Sequence, residues 1–273
     1  MPNSRLNTAE GLIANMADIL RKAGCDDARS DAEAIIAGVL EIPLSDLQEQ
    51  AAETLPEPKL KLIRDRVMRR SQREPLAYIT GYCIFRGLKL NVDHRVMVPE
   101  EECGPLVELA LQLPAGARVH DVGTGSGSIA LAIKNERRDL IVSGSDISGA
   151  AIEVARANAA KLALDVSFTV ARGLPDGDYD LVVANLPFQD EAGKMMSISP
   201  EITFHMPHVA VFAGDDDGLG AIREFVRSIR CDATVALSHA VAQRDIVRSM
   251  FREAEVLGEV TDSRQFTVGH LLR

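Results

Sequence analysis

Two stretches of this chain place residue types at spacings that suit chemistry better than packing. In "VVANLPFQD", residues 182–190, a run of small and β-branched residues ends in Asn185-Leu186-Pro187-Phe188. Asn and Pro are poor strand residues, and Phe is more at home in a core. An Asn amide oxygen beside the Leu186 carbonyl gives two hydrogen-bond acceptors, Pro187 fixes the turn that presents them, and Phe188 offers a flat ring to a planar group or a cation. Such a set can hold the protons of an amino or amide nitrogen to one side, leaving its lone pair free to attack. A loop whose Asn simply makes a turn would use the same residues.

The second stretch is "VHDVGTGSGSIALAI", residues 119–133, with Gly123, Gly125 and Gly127 at alternate positions. Glycine there lets the backbone turn sharply and approach a ligand that a Cβ would repel, although an ordinary tight turn also uses glycine. The dinucleotide fingerprint needs a glycine where this chain has Ser128, and no lysine follows as in a phosphate-binding Walker loop. A third run, "LIVSGSDIS", ends in Asp146 and Ile147. A doubly wound sheet sets an acid at this place against ribose hydroxyls, since a carboxylate accepts two hydroxyl protons at once. A helix cap is the other reading of Asp146.

The elements that must position these residues follow from periodicity. From Thr8 to about Gln72 apolar residues recur at helical spacing, with Thr8 as a candidate cap, Gly24 as a stop and "LPEP" at 55–58 as a separator, which fits three to five short helices. Residues 1–73 are therefore expected to form a helical domain. Residues 74–103 turn β-branched and aromatic, with Gly81 and Gly87 as punctuation, and suggest a hairpin and linker. From 104 to 273 strands alternate with helices expected at 128–135, 149–163, 218–229 and 242–254, the order of a mostly parallel, doubly wound sheet. Ligands in such sheets sit at the carboxyl ends of the strands.

Bulk properties narrow the field. At 273 residues and 46% hydrophobic the chain can bury a real core. No stretch reaches the roughly 18 consecutive apolar residues of a membrane span, and the first twenty residues have no leader-like apolar segment, so a cytoplasmic protein is expected. The formal net charge of −10 works against binding nucleic acid through phosphates. The basic run "KLKLIRDRVMRRSQR" at 59–73 is either a solvated helix face or a patch for an acidic partner. Four cysteines without a Cys-x-x-Cys pair suggest reduced thiols. No metal is expected: His205 and His208 lack a third ligand at useful spacing. The acidic run 215–217 fits a turn and helix cap, and Ser126 and Ser128 lie in no nucleophile elbow.

The pattern Asp121-x-Gly123-Thr124-Gly125-x-Gly127 resembles motif I of Rossmann-like methyltransferases, which bind S-adenosylmethionine. More specifically, "PLAYITGYCIFRGLKLNVDHRVMVPEEE", "DVGTGSGSIALAI", the Asn-x-Pro-aromatic motif, "VFAGDDDGLGAIREFV" and "FTVGHLLR" resemble the HemK/PrmC glutamine methyltransferases over nearly the whole chain. That family methylates the side-chain amide of the glutamine in the Gly-Gly-Gln loop of peptide chain release factors. The resemblance implies a Rossmann-like class I methyltransferase sheet, mostly parallel and doubly wound, behind an N-terminal helical bundle that docks the substrate. It also implies Asp121, Gly123, Thr124, Gly125, Gly127, Asp146, Ile147, Arg172 and Asn185 at the cofactor, and Asn185, Leu186, Pro187 and Phe188 at the transfer step.

Departures from the family are concentrated near these sites. Its Asn-Pro-Pro-Tyr is Asn-Leu-Pro-Phe here, "IPRPETE" becomes "VPEEEC" with Glu100 in place of Arg, and Arg172 stands near the usual adenine-binding Asp. Phe-Glu-Pro becomes Phe204-His205-Met206-Pro207, and "LSHAVAQ" lacks the family's Glu. These changes keep two alternatives open: a small-molecule acceptor, including closure of the cofactor's own aminobutyrate chain to azetidine-2-carboxylate, and a noncatalytic cofactor-binding protein that serves interactions. The expected partner is thus a release-factor-like protein or a small molecule, with no membrane and no direct nucleic acid contact.

Overall fold

The computed structural model describes residues 9–47, 55–191, 198–259 and 264–271. They divide into two compact units, Met1–Gly81 and Tyr82–Arg273. In the first, α1 (Ala9–Lys22), α2 (Ala28–Leu40), α3 (Glu57–Ser71) and the short α4 (Leu76–Thr80) pack around Leu12, Met16, Leu20, Ile35, Ile36, Leu60 and Ile63. Beyond the end of α1, Gly24 takes a left-handed φ of +80°, while the expected cap Thr8 lies outside the described residues. The basic run forms most of α3. Its Leu60, Ile63 and Val67 face the core, and four of its cations meet acids: Lys61 with Asp65, Arg64 with Glu57, Arg69 with Glu74, and Arg70 with Asp31. Arg70 turns inward to Asp31, its Nε 2.7 Å from the carboxylate.

The second unit opens with a hairpin, β1 (Tyr82–Phe85) against β2 (Leu88–Asn91), turned by Arg86 and Gly87. Both turn residues have positive φ, the conformation that matches the twist of paired strands. Then come α5 (Gly104–Leu111), β3 (Arg118–Val122), α6 (Ser128–Glu136), β4 (Ile141–Asp146), α7 (Gly149–Leu162), β5 (Ser167–Val170) and β6 (Leu181–Ala184). After β6 follow α8 (Pro200–His205), α9 (His208–Val211), α10 (Gly220–Ser228), β7 (Thr234–Ala240), α11 (Arg244–Ser249), β8 (Phe251–Glu259) and β9 (Arg264–Leu271).

Strands β3 to β9 form one seven-stranded sheet in the order β5-β4-β3-β6-β7-β9-β8, apart from the β1–β2 hairpin. The first five run parallel, and β9 is antiparallel to both its neighbours. Both faces are covered, which is why β6 is buried throughout and shows no alternation. The doubly wound expectation holds. One helix does not: the segment 242–254 is helical only as far as Ser249 apart from its first 3-10 turn, and from Phe251 it becomes β8. Register shifts between Arg252 and Glu255 and between Val256 and Glu259 break the two-residue alternation of β8, so its strand character comes from long-range pairing with β9 rather than from a local pattern.

Candidate active site

Strands β4, β3 and β6 are adjacent, and the order reverses between β3's two neighbours. At that reversal, helices on opposite faces diverge and leave a crevice at the carboxyl ends. The glycine loop follows β3, Asp146 ends β4, and Asn185 follows β6, so three sequence motifs far apart in the chain converge on one cavity. Its volume is about 400 Å³, within the range of small-molecule sites, roughly 300–1,000 Å³.

Gly123, Gly125 and Gly127 all adopt left-handed φ, at +74°, +55° and +83°. They do so for different reasons. A Cβ on Gly123 would lie 2.8 Å from Leu186 Cδ2, so this glycine lets the two loops touch. A Cβ on Gly127 would lie 3.1 Å from Leu131 and Phe168 and 3.3 Å from Ala155, so this one lets the loop pack on the core, and Gly127 is not on the cavity wall. A Cβ on Gly125 would meet nothing within 4 Å, and Gly125 does line the cavity: the space beside it is open for a ligand. The loop is held from behind by Asn158, whose Nδ2 donates to Ser126 O and Asn91 O, each at 3.0 Å, while its Oδ1 accepts from Asn91 N at 2.8 Å.

Asp146 lies on the wall with Oδ2 accepting from Gly125 N at 2.9 Å and Oδ1 from Ser148 N at 2.8 Å. Each carboxylate oxygen keeps further acceptor capacity. Burial raises its pKa, and the backbone N–H groups of Ser148, Gly125 and Ile147 oppose that rise. The cap of α7 is Ser148, which accepts from Ala151 N, so Asp146 is not that helix's capping residue. Ile147 is exposed on the wall beside it. Asp121 sits behind the loop, fully buried, with Oδ2 accepting from Thr124 Oγ1 at 2.7 Å and Ala130 N at 3.3 Å. Burial pushes its pKa up to about 7. It fastens the loop from inside and does not itself face the cavity.

Asn185, Leu186 and Pro187 line the cavity, whereas the Phe188 ring is buried in the core with Val182, Leu219, Ile222 and Phe225. Gln243 holds this turn, its Nε2 donating to Phe188 O at 3.0 Å and to Asp217 O at 2.9 Å. Arg172 is on the rim, and its guanidinium is engaged by both carboxylate oxygens of Glu224 at 2.7 and 2.8 Å. Glu100 also lines the cavity, with Pro207 and His208 contributed by the α8–α9 region. His208 Nε2 lies 3.2 Å from Glu191, and among the described residues no three His, Cys, Asp or Glu side chains gather as a metal site.

Comparison with known proteins identifies what these elements belong to. Residues 12–81 match the PrmC N-terminal domain and residues 106–209 the methyltransferase small domain. A release factor glutamine methyltransferase from Bradyrhizobium diazoefficiens is 34% identical over 227 residues, covering 80% of this chain and 76% of the relative. The chain belongs to the release factor glutamine methyltransferase family. A second member, from Neisseria gonorrhoeae, is 32% identical and covers 89% of this chain and 93% of the relative. Among solved structures, the hMettl16 catalytic domain, in complex with the MAT2A 3'UTR hairpin 6, superposes with a TM-score of 0.51 at 11% identity. It covers 78% of this chain and 81% of its own, a likeness of fold alone. The sheet is that of a class I methyltransferase, and the protein is an enzyme of the methyltransferase class.

Four contributors to the site were not singled out from the sequence: Asn158, Glu224, Ser238 and Gln243. Each acts across 26 or more residues of chain, as in the Gln243–Asp217 contact, so no local spacing announces it. A polar residue directly after the apolar run Val235-Ala236-Leu237, as Ser238 is in "TVALSHA", is the one local signal available for any of them.

Proposed function

We propose that this enzyme uses S-adenosylmethionine to methylate the side-chain amide nitrogen of a glutamine in a protein of the release factor class. The observation that carries this reading is that Asn185 and Leu186 share one cavity wall with Gly125 and Asp146. The residues fit the cofactor. The open space beside Gly125 admits its amino acid part against bare backbone, Asp146 has acceptor capacity for ribose hydroxyls, and Ile147 gives an apolar surface for a flat base. Asp121, Gly123, Thr124 and Gly127 hold the loop in the shape that makes this possible, and Arg172, steadied by Glu224, borders the entrance.

Bound there, S-adenosylmethionine supplies an electrophilic methyl group on a positively charged sulfur. The protein's part is alignment. An amide nitrogen is a weak nucleophile because its lone pair is delocalised, so orientation matters more than usual. Asn185 Oδ1 and the Leu186 carbonyl would accept hydrogen bonds from its two N–H groups, with Pro187 fixing the angle between them, so that the lone pair would be left free for the methyl. Phe188, buried below, anchors the turn in the core. One proton leaves to water with completion of the transfer. We assign the docking of the protein substrate to the helical region 1–73, and place the reaction in the cytoplasm, where release factors work.

The experiment is incubation with labelled S-adenosylmethionine and a release factor, followed by peptide mapping. One methyl group on a glutamine side chain, with S-adenosylhomocysteine as co-product, is expected. Cofactor consumption with methylthioadenosine as product, or no methylated glutamine, would overturn the assignment.

A further inference from the structure

We propose that Ser238 is a positioning residue that sets the plane of the Asn185 amide for transfer, an inference that rests on the function proposed above. The parallel register of β6 and β7 pairs Leu181 with Thr234 and runs to Ala184 with Leu237. One further step sets Asn185 opposite Ser238. Ser238 is fully buried, and its hydroxyl donates to Asn185 Oδ1. Along β7 its companions Val235, Ala236 and Leu237 are apolar and equally buried. A hydroxyl among them would be costly without a partner, and Asn185 is that partner.

The bond answers a difficulty in the transfer geometry. The terminal torsion of an Asn side chain is broad, so the backbone alone does not fix which way its amide plane faces. An amide oxygen carries two lone pairs. Ser238 occupies one and thereby fixes the plane in which the other lies, leaving that one for a proton of the acceptor nitrogen. The neighbouring His239 does not compete. Its ring contacts Ala240 O and Thr267 Oγ1, each at 2.8 Å, and burial lowers its pKa so that it stays neutral.

The test is a double-mutant cycle in the full chain with Ser238→Ala, Ser238→Thr, Asn185→Ala and the Ser238→Ala/Asn185→Ala pair. Single-turnover methylation of a release factor and calorimetric cofactor affinity are the functional readouts. The side-chain amide signals of Asn185 in a 1H–15N spectrum report the contact itself. Ser238→Ala is expected to slow transfer about tenfold with cofactor affinity unchanged, the effect of one neutral hydrogen bond. Ser238→Thr keeps a hydroxyl and restores most of the rate, and in the Asn185→Ala background removing Ser238 has no further effect. An equal loss in both backgrounds, or an unchanged rate in Ser238→Ala, would overturn the proposal. If the wild-type enzyme leaves release factor glutamine untouched, the acceptor assignment fails on its own. The Asn185 amide signals then decide for Ser238: a shift in Ser238→Ala supports the contact, and no shift refutes it.

Discussion

Replacing Gly125 or Gly127 by alanine adds the same methyl group two residues apart, and the structure gives the two changes opposite consequences. Both positions are left-handed, where a residue with a Cβ pays about 1–2 kcal/mol. At Gly125 that strain is the whole cost to folding, because the new Cβ meets nothing within 4 Å. At roughly 2–4 °C per kcal/mol for a unit of this size, Tm should fall by about 2–8 °C. The methyl group, however, enters the space proposed for the cofactor, and S-adenosylmethionine affinity should fall more than about tenfold, or 1.4 kcal/mol. At Gly127 the contacts at 3.1, 3.1 and 3.3 Å add overpacking of about 1–3 kcal/mol to the same strain. The larger loss of Tm should therefore belong to Gly127→Ala, while its folded fraction binds cofactor with the smaller penalty. Thermal unfolding and isothermal calorimetry on both variants read the contrast. A folded Gly125→Ala with wild-type affinity would refute the reasoning.

Two further outcomes are expected. Asp146→Ala should weaken S-adenosylmethionine binding by about 1–3 kcal/mol, the loss of a charged acceptor, and calorimetry showing an unchanged affinity would leave Asp146 as a brace for the Gly125 and Ser148 amides only. Asp121 binds its proton more tightly folded, with a pKa of about 7, than unfolded, near 3.8. Its contribution to stability is thus complete below the unfolded value and is lost as pH rises through the folded one. Between pH 5 and pH 8 the wild-type protein should lose about 3 kcal/mol from this group, a loss that Asp121→Asn lacks. Urea unfolding of both proteins across that range should show their stabilities diverging with pH, and parallel curves would contradict the burial argument.

The sequence was most legible where one residue type has few alternative uses. Strands alternating with helices from residue 104 onward indicated a doubly wound sheet, alternate glycines and an Asn-x-Pro at strand ends pointed to its carboxyl edge, and the structure brings both motifs to one cavity. The acidic run 215–217, read as a turn and helix cap, forms the turn before α10: Asp215 and Asp217 accept from Leu219 N and pair with Arg223, but the cap position Leu219 has no side-chain cap. Less legible was whatever depends on distant pairing. β8 owes its form to β9, and α8 and α9 are too short for a helical period to show. Within the site, Gly127 and Phe188 carry the letters of a binding motif but face the core. Ser238 and Glu224 were not marked as site residues by their spacing and yet touch Asn185 and Arg172. Direction of a side chain, unlike its chemistry, is set by the tertiary fold.

In the function proposed above, Asn185 acts on the geometry of transfer and not on cofactor capture. The most direct measurement compares Asn185→Ala with the wild-type enzyme in two assays on the same preparations, calorimetric binding of S-adenosylmethionine and single-turnover methylation of a release factor. Cofactor affinity should remain near wild type, while transfer should lose roughly 2–4 kcal/mol of transition-state stabilisation, by analogy with removal of one preorganised polar contact. Full turnover by Asn185→Ala would contradict the account and reduce the Asn-Leu-Pro-Phe turn to a structural corner of the sheet.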